Sequence, residues 1–157
     1  MLAGCTYRAE LERLTPEERT AFYAYNKVMT PRQAHTYLTK ATTAERAAYL
    51  EEIGLAQRFQ ALDPEDRATV LAGFPREGMS GEALRFLWGR PLYERGNPGH
   101  YEYWYYWGSA FSLGEHGTSH TEVGSQVTVY LTDGRVVWWR ESVPTEPSED
   151  SKSDRRG

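Results

Sequence analysis

The chain has 157 residues, a formal net charge of -4 and an aromatic content of 13%. That length can bury a core without disulfides, and the interspersed charges lack the clustered basic face that a nucleic-acid surface needs. No apolar run approaches the roughly 18 to 20 residues of a membrane-spanning helix.

Cys5 is the single cysteine, which excludes an internal disulfide framework and any CxxC-type metal or redox site. Leu2-Ala3-Gly4-Cys5 resembles the bacterial lipobox, where a signal peptide is cut before a cysteine that receives diacylglycerol. The resemblance makes Cys5 the lipidation site and the membrane link a lipid anchor. It also implies a start upstream of Met1, because the basic and apolar parts of a signal peptide precede the box. A cytoplasmic protein with an inert thiol is the alternative. Thr6 stands where inner-membrane lipoproteins of many bacteria carry Asp, so the resemblance implies the outer membrane.

Residues 6 to 14 read as a tether running into a short helix. Thr15-Pro16-Glu17-Glu18 and Thr30-Pro31-Arg32-Gln33 then each set a capping hydroxyl, a proline at the first helical position and a Glu or Gln three residues after the cap. Thr42-Thr43-Ala44-Glu45 repeats the box without proline, and Asp63-Pro64-Glu65-Asp66 offers an acidic version. Behind these starts, Phe22, Tyr25 and Met29, then Ala34, Tyr37 and Leu38, then Ala47, Leu50 and Ile53 keep helical spacing along one apolar stripe. Ser80 is the expected cap of a further helix carrying Leu84, Leu87 and Trp88, which Gly89-Arg90-Pro91 stops. This helix is expected to cover a sheet.

Residues 95 to 99 read as a Gly/Pro/Asn loop leading into Tyr101-Glu102-Tyr103-Trp104-Tyr105-Tyr106-Trp107, a strand by its aromatic content. Alternation puts Tyr101, Tyr103, Tyr105 and Trp107 on one face and Glu102, Trp104 and Tyr106 on the other. The Gly/Ser-rich stretch from Gly108 to Gly124 reads as an exposed loop. Asp133-Gly134 between the alternating strands 126–132 and 135–141 predicts a type I′ hairpin. Simple pairing sets Leu131 opposite Val136, Val129 opposite Trp138 and Val127 opposite Arg140 on the core face, so Trp138 is expected to be buried. Tyr130 opposite Val137 and Thr128 opposite Trp139 form the other face. From Pro144 on, Pro, Ser and mixed charge predict disorder.

The fold expected is α+β: an N-terminal layer of short helices, then a helix packed on a three-stranded antiparallel sheet. The divisions are 1–14 (lipobox and tether), 15–76 (helical region), 77–143 (helix plus β-meander) and 144–157 (tail). Gly78-Met79-Ser80, Leu87-Trp88-Gly89-Arg90-Pro91, Glu102-Tyr103-Trp104-Tyr105-Tyr106 and Val129-Tyr130-Leu131-Thr132-Asp133-Gly134-Arg135-Val136-Val137 resemble the SmpA/OmlA (BamE-like) family of small outer-membrane lipoproteins. The likeness covers the C-terminal half. The helical region is similar, more weakly, to GWxTD-type bacterial proteins, although no Gly-Trp-x-Thr-Asp is present.

The resemblance implies a non-catalytic interaction or scaffolding lipoprotein at the periplasmic face of the outer membrane, with a place in outer-membrane protein assembly. Its partners would be other envelope proteins; no nucleic acid, small-molecule substrate or cofactor is expected. Tyr106, Tyr130, Val137 and Trp139 form the expected partner-binding patch, for which Tyr and Trp are favoured anchors. Core packing and carbohydrate stacking are the other uses open to the aromatic set. A rival from another class is a metal-dependent hydrolase built on His116 and His120, with Glu115, Glu122 and His100 nearby. The zinc-protease arrangement, however, needs a helix with Glu between the two histidines, and here Gly117, Thr118 and Ser119 intervene. A soluble cytoplasmic binding domain is the third reading.

Overall fold

The structure, a computed structural model, describes residues 3–114 and 125–142. The tail from Pro144 and the His116/His120 segment lie outside the described residues. The fold is α+β, with helices first and an antiparallel sheet last.

Helix α1 (Ala3–Glu12) begins well before the end of the expected tether. Helices α2 (Pro16–Asn26), α3 (Pro31–Thr39) and α4 (Thr43–Glu52) start where their capping boxes place them, with Thr15, Thr30 and Thr42 as the capping hydroxyls. The box closes the first turn with both partners supplied within four residues, so these starts need no tertiary help. Helix α5 (Leu55–Gln60) follows Gly54 at φ 78° and has no side-chain cap. Helix α6 (Pro64–Ala72) corrects one expectation: Asp63 sits at the cap position but makes no capping bond. Its carboxylate instead accepts from Arg135 Nη2 at 3.0 Å.

Helix α7 (Gly81–Trp88) is capped by Ser80 and lies on the sheet as expected. A Cβ added at Gly81 would come within 2.8 Å of Trp104 Cη2, so the helix start approaches the sheet as closely as a side-chain-free backbone permits. Phe22, Met79, Leu84 and Phe86 are fully buried in the core. Rings join the helices to one another: Phe22 stacks on Tyr37 at 5.3 Å, and Phe59 meets Tyr25 and Phe86 edge-on at 5.5 and 5.6 Å.

Two carboxylates are held inside by arginines. Glu18 Oε1 and Oε2 accept from Arg46 Nε and Nη2, both at 3.0 Å, while Arg46 Nη1 donates to the Lys40 carbonyl at 2.9 Å. Asp66, 1% exposed, accepts from Arg76 Nη2 at 2.7 Å and from the Ser80 amide at 3.0 Å. That second cluster ties α6 to the start of α7.

The sheet has four strands in the order β1-β2-β3-β4, where three were expected. The addition is β1 (Tyr93–Asn97), which pairs with β2 (Tyr101–Trp107) through a tight turn and occupies part of the expected loop. A Cβ at Gly96, at φ 114°, would fall 2.4 Å from the Tyr101 carbonyl oxygen. Glycine is what lets the two strands close there. Between β2 and β3 (Gln126–Thr132), a short helix α8 (Ala110–Gly114) replaces the start of the expected loop.

The β3–β4 (Arg135–Ser142) hairpin turns at Asp133 (φ 51°) and Gly134 (φ 75°), the two left-handed residues of a type I′ turn. Thr132 faces Arg135 and Leu131 faces Val136 as read from the sequence. There the simple register ends. A bulge shifts the pairing between Leu131 and Tyr130, so Tyr130 faces Trp138 and Val129 faces Trp139. One extra residue on one strand reverses the face of everything beyond it. Trp138 therefore leaves the core side, contrary to expectation, and Trp139 takes its place there, packed on the core edge.

Candidate contact surface

The sheet has two chemically different faces. Trp104, Tyr106, Val127, Val129, Leu131 and Val136 point to the helices and are buried. By alternation along paired strands, the second face carries Tyr93, Arg95 and Asn97 from β1 and Tyr101, Tyr103, Tyr105 and Trp107 from β2. β3 adds Gln126, Thr128, Tyr130 and Thr132, and β4 adds Trp138, Arg140 and Ser142 beyond the bulge.

Its rings form a connected array. Tyr93 and Tyr105, opposite each other on β1 and β2, stack at 4.3 Å with planes 16° apart. Tyr103 lies 5.0 Å from Tyr130, which lies 5.5 Å from Trp138, across three strands. The Arg140 guanidinium sits 4.7 Å above the Trp138 ring. Tyr93, Tyr101 and Trp107 are about half exposed, while Tyr103, Tyr105, Tyr130 and Trp138 are shielded in part, with neighbouring rings supplying contacts. Arg95, Gly96, Tyr101, Tyr103 and Tyr105 line a shallow open hollow on this face.

The patch expected from the sequence, Tyr106, Tyr130, Val137 and Trp139, does not exist as one surface. Tyr106 is 3% exposed, packs edge-on against Trp88 and donates its hydroxyl to the Gly89 carbonyl at 3.0 Å. Burial pushes its phenol far above the ordinary range. Trp139 is turned toward the helices and meets Phe74 edge-on at 6.2 Å. Val137 stands exposed at the bulge, and only Tyr130 belongs to the open array. Tyr93, Arg95, Tyr103, Trp138 and Arg140 were not picked out. The Tyr101/Tyr103/Tyr105 alternation was visible in the sequence, but which side met the helices was not.

Backbone placement puts Cys5 within α1. His100 is exposed in the β1–β2 turn, where its carbonyl accepts from the Asp133 amide at 2.9 Å. His116, His120, Glu115 and Glu122 lie outside the described residues. Among the described residues no group of His, Cys, Asp or Glu is arranged to hold a metal ion, and no helix is long and apolar enough to cross a membrane. No family model, curated protein or solved structure matches the chain.

Proposed function

We propose that this chain is a non-catalytic interaction module that uses the open aromatic face of its sheet to hold another protein. The observation that supports the reading is that face itself: seven Tyr and Trp rings on one side of a four-stranded sheet, with no helix of the described residues laid over it. Contiguous amphipathic surface of this kind marks contact sites, and Tyr, Trp and Arg are the residues that dominate them. Leu2-Ala3-Gly4-Cys5 adds the location: a lipid on Cys5 would hold the module at the periplasmic face of the outer membrane. The SmpA/OmlA-like segments make outer-membrane protein assembly the setting we propose.

The test pairs capture with stability. Tyr103→Ala with Trp138→Ala should abolish retention of envelope partners while the protein still melts as one folded unit. Equal capture by wild type and the double variant would refute the contact surface. Separately, metabolic labelling with an alkynyl fatty acid should mark the protein expressed from its native locus and fail on Cys5→Ser. No label on the wild type would remove the lipid anchor and leave the contact surface standing.

A further inference from the structure

Resting on that contact surface, we infer that its occupant is an extended, acidic segment of a partner polypeptide, crossing the strands from Arg95 to Arg140. The charge of the face carries the inference. The whole chain has 22 acidic residues against 18 Lys and Arg, yet the open-face positions of the four strands hold three arginines and no carboxylate, and of the three only Arg135, at the strand end, is paired, with Asp63. The neighbouring acids point elsewhere: Glu94 pairs with Arg85, Glu102 accepts from Trp104 Nε1, and Glu141 accepts from the Ala110 amide.

Arg95 and Arg140 are exposed, and among the described residues neither lies in an ion pair with a carboxylate. Arg46, Arg58, Arg76, Arg85 and Arg135 are all so paired. On this face, Arg95 and Arg140 are therefore the charges left for something outside the fold. Arg140 is already steadied over the Trp138 ring, so less freedom is lost when it forks onto a carboxylate.

Geometry sets the length of the ligand. Arg95 lies on one edge strand and Arg140 on the other, offset by one row of the alternation. Three strand spacings and one such step separate them by about 16 Å. About five residues of extended chain cover that span, so the segment needs acidic side chains four or five positions apart, with apolar or proline residues between them on the tyrosines. Single-stranded nucleic acid also stacks on rings, but it needs a longer basic track than two arginines provide.

The experiment pans a random library of 12-residue peptides against the full chain and reads the charge of the binders. Wild type should enrich Asp and Glu at least several-fold. Arg95→Glu with Arg140→Glu should invert the enrichment to Lys and Arg, with an unchanged melting profile. Absence of acidic enrichment, enrichment untouched by the double reversal, or tighter binding of a thymidine oligonucleotide than of any recovered peptide would each overturn the inference. If Tyr103→Ala with Trp138→Ala abolishes envelope capture while the charge reversal leaves it intact, the contact surface stands and only its acidic specificity falls.

Discussion

Arg46→Ala tests how this small helical layer is held. The Arg46 side chain is 6% exposed and that of Glu18 12%, and the guanidinium grips both carboxylate oxygens while also capping the Lys40 carbonyl. Removing it leaves a desolvated carboxylate with only the Thr15 amide, at 2.9 Å, as the backbone donor of its capping box. Breaking a buried pair from one side costs about 3–5 kcal/mol, and in a chain of this size each kcal/mol moves the midpoint by about 2–4 °C. A thermal melt at neutral pH should therefore fall by roughly 6–20 °C.

Glu18→Gln with Arg46→Met should recover about half of that loss or more, because no unpaired charge remains and Gln still closes the capping box. The pH dependence follows from the carboxyl itself. Burial raises its pKa, but the Thr15 amide, the Thr43 hydroxyl and Arg46 outweigh burial and hold it below the usual 4.5. The pair's contribution is thus complete above that value and is lost as pH falls through the lowered one. In Arg46→Ala the deficit should narrow on acidification, since the protonated acid no longer needs a partner. A drop of under about 2 °C at neutral pH would mean that Glu18 reaches water freely and that the pair holds nothing.

Trp104→Ala should cost about 3–5 kcal/mol, whereas Trp107→Ala, at 53% exposure on the other face, should stay within about 1 kcal/mol; urea titrations of both test the face assignment. Tyr106→Phe leaves the Gly89 carbonyl without its donor and should lower stability by about 1 kcal/mol, read in the same titration. Gly96→Ala should destabilise by more than about 1 kcal/mol, since it combines a left-handed φ with a clash against the Tyr101 carbonyl. Amide exchange should quicken across β1 and β2 in that variant, and unchanged protection there would refute the close approach.

The sequence by itself determined whatever is decided within four or five residues. Thr15, Thr30 and Thr42 mark their helices because each box satisfies its own first-turn amides. Asp133-Gly134 marks its turn because both residues tolerate positive φ. The tertiary structure decided everything that depends on a distant partner. Asp63 looked like a cap and became the mate of Arg135, a residue 72 positions away. β1 was hidden by its turn-forming residues, and it is a strand because β2 offers it an edge. The bulge beyond Leu131 left no local mark, yet it sends Trp138 to the open face and Trp139 to the helices. Tyr106 and Tyr103 are alike in type and differ only in which side of the sheet the helix α7 covers. Alternation divides a strand into two faces, but only the packing of other elements decides which of them is left for a partner.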